Sequence, residues 1–242
     1  NGNGSLSILV LGNSFAERAA PVIRDVFHGH YSVLRIYTGG ACRILAGFDA
    51  PKYRDTYPTL LEKMRPDITL VISRENYFLT GPALDSDVPE FARASVLQRF
   101  DLKRNFSRRL VVDGQNPFCG WGALMMKNGE TIQTGLEIAR RFQKKTFNMS
   151  ELYWTRNETA KFHSFETEFL SSMASSNANF TFNKVYDQFC LPDEDVCPFY
   201  NPANLHSYYA DYVGHLSVEG LNALREGYQR IASRLIRELY LE

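Results

Sequence analysis

The chain has 242 residues, 44% of them hydrophobic and 22% charged, and its 27 lysines and arginines balance 27 aspartates and glutamates. That composition supports a sizeable buried core, and zero net charge with no basic stripe argues against nucleic acid as the main partner. The longest apolar runs, such as Leu9-Val10-Leu11 and Leu70-Val71-Ile72, are too short to cross a bilayer, and no secretory leader pattern opens the chain. The start, Asn1-Gly2-Asn3-Gly4-Ser5, reads as a linker or edge at 1–5.

In chain order, 6–11 (Leu-Ser-Ile-Leu-Val-Leu) is a buried-strand run that stops at Gly12. A helix follows over 16–27 despite Pro21, then a second strand over 33–37 that ends in Thr38-Gly39-Gly40. A helix over 57–64 leads to a third strand at 68–72, and a helix over 89–100 leads to a fourth strand at 110–114. Residues 131–142 and 158–173 read as helices, and 180–186 as a fifth strand. The last segment is the most periodic: Leu221, Leu224, Tyr228, Ile231, Leu235 and Leu239 form one helical stripe. Strands alternating with helices predict a three-layer α/β/α sandwich around a mainly parallel five-stranded sheet, in one domain over 1–242.

Two features predict an extracellular or luminal setting. Five Asn-x-Ser/Thr sequons occur, at Asn3, Asn105, Asn148, Asn157 and Asn179, where the chain's 15 asparagines and 29 serines and threonines predict roughly two by chance. The four cysteines form an even set. A local disulfide between Cys190 and Cys197 across the polar loop would leave Cys42 with Cys119; other pairings, and reduced thiols, stay open. Metal spacing such as CxxC or HExxH is absent from the sequence, and no metal or organic cofactor is expected.

Ligands of a parallel α/β sheet bind outside the carboxyl ends of its strands. Ser14 stands there, after the first strand and its glycine turn, where a helix start favours a developing oxyanion. It also fits a capping box with Glu17, a purely structural role. His215 precedes the final helix, with Asp211 four residues upstream. A serine needs such a base, and the base an orienting acceptor. Otherwise His215 would be a histidine bonded to backbone at the helix start. His206 is the fallback base; the remaining histidines read as turn, helix or loop residues.

Gly12-Asn13-Ser14-Phe15-Ala16 resembles the first block (GDS) of the SGNH/GDSL hydrolases, with Asn13 in place of the usual Asp. His215-Leu216-Ser217 with Gly220, and the Cys-x6-Cys segment before it, resemble one branch of that superfamily. In that branch the SGNH domain is fused to membrane acyltransferase-3 proteins, including bacterial O-antigen acetyltransferases and many nematode proteins. The resemblance implies Ser14 as nucleophile and His215 as base; Asp211, one residue further from the histidine than the family's usual Asp, would orient the imidazole through a different loop path. Gly39 or Gly40 resembles the second block, whose amide helps line the oxyanion hole with that of Ser14, though both also fit a plain turn. Two departures stand out. The usual Asp, three residues before the histidine, is Tyr212 here, and the third block reads Ser73-Arg74-Glu75-Asn76. Arg74 or Asn76 would then aid the oxyanion or the substrate, unless they are simple surface residues.

The expected activity is O-acyl transfer, acetyl by resemblance, from an acyl donor to a hydroxyl acceptor such as a carbohydrate. The partner implied is a membrane acyltransferase-3 domain preceding residue 1. The rival readings are a hydrolytic carbohydrate esterase and a catalytically silent SGNH-like module that binds glycan or protein.

Overall fold

A computed structural model describes residues 2–39, 51–73, 101, 104–114, 119–120, 123–125, 131–132, 140, 144, 153–211 and 214–241. Five strands, β1 (Leu6–Gly12), β2 (Tyr31–Thr38), β3 (Ile68–Ile72), β4 (Arg109–Asp113) and, later in the chain, β9 (Phe180–Asn183), form one sheet. Its order is β2-β1-β3-β4-β9 and every neighbouring pair is parallel. The short strands β5 (Cys119–Gly120), β6 (Ala123–Met125) and β7 (Thr131–Ile132) make a separate antiparallel sheet, and β8 (Tyr153–Trp154) pairs with β10 (Cys197–Pro198).

Strand alternation sorts the core into two layers. Ile8, Val10, Ile68, Leu70, Ile72 and Val111 face α1 (Ser14–Val26) and the long C-terminal helix α5 (Val218–Leu241), where Ala16, Ile23, Leu224, Tyr228 and Leu235 are buried against them. Leu9, Leu11, Val71, Leu110 and Val112 face α2 (Pro51–Met64) and α4 (Ser164–Ser176) through Tyr57, Leu61 and Leu170. Helices therefore cover both faces, which is why β1, β3 and β4 are almost continuously apolar. The expected α/β/α sandwich with its five-stranded parallel sheet is the architecture found. Among the described residues, no helix is long and apolar enough to cross a membrane.

Three element expectations need correction. The helix expected over 131–142 does not begin where the pattern placed it, because Thr131–Ile132 pair with Met125 and Leu124 as β7. The helix expected over 158–173 is two helices, α3 (Arg156–Phe162) and α4, which abut at His163, and α3 opens with a Thr155/Glu158 capping box. The fifth strand ends at Asn183 rather than 186. Its partner β4 ends opposite it at Asp113, so no ladder remains, and Val185–Phe189 turn into a 3-10 helix. Residues 2–5 are tied down as well: Gly2 and Gly4 donate their amides to Ser32 and Tyr31 carbonyls, and Ser5 bonds Tyr240 at the end of α5. The predicted helix over 89–100 lies outside the described residues.

One polar cluster sits inside the α5 layer. Asp113, the last residue of β4, accepts hydrogen bonds from Asn183 Nδ2 (2.8 Å) and from the Tyr228 hydroxyl of α5. Burial pushes its carboxyl up to about 7, against the lowering effect of those two donors. The folded state thus holds a proton that the unfolded chain releases near 3.8, so this residue's contribution favours folding at low pH and is lost as pH rises towards 7. Relative to Asp113→Asn, wild-type stability should fall by up to about 4 kcal/mol between pH 4 and 7, three units at about 1.4 kcal/mol each. Urea titrations of both proteins across that range measure the gap; a constant gap would contradict a carboxyl that titrates there.

Candidate active site

The sheet edge at the carboxyl ends of β1 and β3 is where the chain's connections diverge, from β1 outward to β2 and from β3 onward to β4. β1 reaches it through Gly12, where a Cβ would come within 2.0 Å of the Ile72 carbonyl oxygen and 2.5 Å of the Ala16 side chain. Only glycine lets the strand turn into α1 this close to β3. Asn13 then caps α1, its Oδ1 accepting from the Phe15 amide at 3.1 Å. Asn and Asp are equally good helix caps, so the replacement of the usual Asp at this position keeps the local structure. Ser14 is the first helical residue, and its hydroxyl does not serve as the cap.

That hydroxyl lies 2.6 Å from His215 Nε2. The imidazole's other nitrogen, Nδ1, lies 2.7 Å from Asp211 Oδ2, and the His215 amide donates to Asp211 Oδ1 at 3.2 Å. A neutral imidazole that donates from Nδ1 to the carboxylate has Nε2 free to accept the serine proton. Asp211 is carried on the same hairpin as the histidine. Tyr209 bridges Leu216, the Ala210 amide donates to the His215 carbonyl, and the Gly214 amide donates to the Asp211 carbonyl. Gly214 adopts φ 87°, a conformation that costs other residues strain. Asp211, four positions upstream of the histidine, thus meets its ring.

Packing holds the ring in this pose. Phe15 lies against it with ring centroids 4.9 Å apart, and only 16% of the His215 side chain is exposed. Leu216 is buried, and Ser217 closes the hairpin: its amide donates to the Tyr208 carbonyl and its hydroxyl to the Ser207 carbonyl at 2.5 Å. The same oxygen accepts from the Gly220 amide at 3.2 Å, which caps α5. Behind the hairpin stand Phe189, Phe199, Tyr208 and Tyr209 in edge and stacked contacts, next to the Cys190–Cys197 disulfide. The roles of Phe15, Gly214 and Ser217 escape a reading confined to nucleophile, base and acid. Their sequence signals are a glycine just before the histidine and Ser-x-x-Gly just after it.

The oxyanion partners are only partly described. The Gly39 amide donates to the Gly12 carbonyl at 3.0 Å, which extends the β1–β2 ladder by one bond and occupies that donor. Ser14's amide belongs to the first turn of α1, whose N–H groups have no partner within the helix. Gly40, Arg74, Asn76, Tyr212 and the cysteine at position 42 lie outside the described residues, so the expected Cys42–Cys119 pair does too. His206, the fallback base, is a surface residue whose Nδ1 sits 3.9 Å from Glu219. Among the described residues, no group of three or more His, Cys, Asp and Glu side chains is placed to hold a metal ion.

The sequence matches the family described as "SGNH domain (fused to AT3 domains)" over residues 1–230. No curated protein sequence matches it. Among solved structures it is similar to the periplasmic domain of a lipopolysaccharide acetyltransferase from Salmonella ser. Paratyphi A. That likeness has a TM-score of 0.64 at 16% identity, covering 95% of this chain and 84% of the other. It is similar as well to a putative acylhydrolase from Bacteroides fragilis, with a TM-score of 0.50 at 14% identity, covering 95% and 87%. At these identities the likeness is one of fold.

Ser217→Ala should cost about 1 kcal/mol through loss of the α5 cap, while Ser217→Thr, which keeps a capping hydroxyl, should stay near wild type. Urea denaturation of the three proteins is the measurement. Equal stability of the alanine variant would remove Ser217 from the list of groups that hold the histidine hairpin.

Proposed function

Because the chain belongs to the family of SGNH domains fused to AT3 domains, we propose that it is an extracytoplasmic O-acyltransferase working through an acyl ester on Ser14. The observation that carries the reading is the continuous relay from Ser14 Oγ to His215 Nε2 at 2.6 Å and from Nδ1 to Asp211 at 2.7 Å.

In the first half-reaction, His215 takes the hydroxyl proton as Ser14 Oγ attacks the donor's carbonyl carbon. The tetrahedral oxyanion is held by the Ser14 amide at the positive end of α1, with the Gly40 amide as the second-block donor, and with Arg74 or Asn76 supplying the side-chain contact. The imidazolium, stabilised by Asp211, protonates the leaving group. In the second half, His215 deprotonates an acceptor hydroxyl, which attacks the ester and frees Ser14. The donor arrives from the fused membrane domain; the group is acetyl and the acceptor a carbohydrate, by analogy with the lipopolysaccharide acetyltransferase domain. Water as acceptor would give the hydrolytic variant of the same chemistry.

A serine-directed fluorophosphonate should label wild type at Ser14. Ser14→Ala and His215→Ala should take no label. Asp211→Asn, which keeps the shape but not the charge, should lose on the order of 10²–10⁴ in labelling rate. If folded wild type takes up no label and turns over p-nitrophenyl acetate no faster than Ser14→Ala, the domain is a silent binding module instead.

A further inference from the structure

Four of the five sequon asparagines fall on described residues, and all four are exposed. Three of them, Asn3, Asn105 and Asn179, share a position that the sequence does not reveal. Asn3 lies three residues before β1, Asn105 in the helical turn before β4, and Asn179 immediately before β9. All five strands of the sheet are parallel, so these three points lie along its amino-terminal edge. Ser14 and His215 lie at the carboxyl edge, roughly 20 Å away along a seven-residue strand.

At Asn3 and Asn179 the asparagine side chain itself is placed for attachment. Asn3 is flanked by amides of Gly2 and Gly4 that are already bonded to Ser32 and Tyr31 carbonyls, so the backbone is fixed and the side chain stands in solvent. Asn179 uses its Oδ1 to accept from Arg109 Nη1 at 3.1 Å, while Arg109 Nε is held by Glu238. Substitution at Nδ2 leaves that acceptor intact. Asn105 has an exposed side chain, but the hydroxyl of its sequon, Ser107, is buried and bonded to Thr69 Oγ1 at 2.6 Å.

We propose that N-linked glycans on Asn3, Asn105 and Asn179 cover the amino-terminal edge of the sheet, opposite the edge bearing Ser14. The inference rests on the extracytoplasmic placement given above. In each transfer, the asparagine Nδ2 bonds to the anomeric carbon of a lipid-diphosphate-linked oligosaccharide. The carbon–oxygen bond to the diphosphate breaks, the diphosphate leaves with its lipid, and the displaced amide proton goes to solvent; nothing is oxidised or reduced. At Asn105 the transfer precedes docking of β4 on β3, since the folded chain keeps the Ser107 hydroxyl in its bond to Thr69. The glycans make the amino edge a hydrated face, so whatever delivers or accepts the acyl group approaches from the opposite one.

The test is to express residues 1–242 behind a secretion signal in animal cells and release the glycans with peptide N-glycosidase F in heavy-oxygen water. Peptide mass spectrometry then reads which asparagines became tagged aspartates. The tag is expected at Asn3, Asn105 and Asn179, and any of the three left untagged in the secreted protein overturns the proposal as stated. Fluorophosphonate labelling of the same sample is the second readout. Its rate should change by less than about twofold on glycan removal or in the Asn3→Gln/Asn105→Gln/Asn179→Gln variant, given a separation of roughly 20 Å. A tenfold change would contradict the opposite-edge arrangement. Labelled but unglycosylated protein defeats this inference alone, whereas glycosylated but unlabelled protein defeats the catalytic reading alone.

Discussion

The hydrogen bond between Ser14 and His215 joins residues 201 positions apart, and the rest of the molecule is arranged to make that meeting unavoidable. One partner is fixed to the tip of β1 and the first turn of α1; the other sits on a hairpin that feeds α5. The two helices pack side by side on one face of the sheet, so the start of each falls at the same edge. Arg225 of α5 pairs with Asp25 of α1 at 3.2 Å, but both side chains are well exposed, and such a pair contributes roughly 1 kcal/mol at most. Each large apolar side chain buried between the helices and the sheet contributes about 1.5–3 kcal/mol. Leu224, Leu235, Ile23 and Phe27 therefore hold the register, and the ion pair only decorates it.

The hairpin is supported differently. It has little regular structure, so its stiffness comes from aromatic packing under it and from polar closures at its ends. Phe199, Phe189 and Tyr209 are almost completely buried, and the Ser217 hydroxyl serves both the hairpin and the helix cap. Charge is placed sparingly. Asp211 is partly exposed, which limits the desolvation cost of a carboxylate beside an imidazole. Asp113 is the opposite case: buried under α5, it keeps two donors and still carries a raised carboxyl. It lies on the sheet row that also contains Gly12 and Ile72, two strands away from Gly12, so it acts on helix packing rather than on the Ser14–His215 pair.

Departures from the family pattern turn out to be local exchanges. Asn13, in place of the usual Asp, accepts a hydrogen bond from the Phe15 amide and caps α1, a job that either side chain can do. Tyr212 at the usual acid position does not leave the histidine alone, because Asp211 one residue earlier bonds its ring.

Much of this was legible before folding. The full extent of β3 is legible because a short apolar run marks a strand buried on both faces of a parallel sheet, and the core stripe of α5 because six residues repeat at helical spacing. Ser14, His215 and Asp211 are legible in the sequence as candidates because ligands of a parallel sheet bind at its strand ends, and the fold brings the three side chains within hydrogen-bond distance. Tertiary structure decided the rest. The break at His163, the loss of β9 beyond Asn183 and the pairing at Thr131 each depend on a neighbour distant in sequence or on a hairpin partner, which local propensity cannot register. Whether the Ser14 hydroxyl capped a helix or met a base, and whether the Gly39 amide was available to an oxyanion, were questions of which atom lies within 3 Å. Only the packed chain answers them, because a hydrogen bond is a property of positions in space and not of order along the backbone.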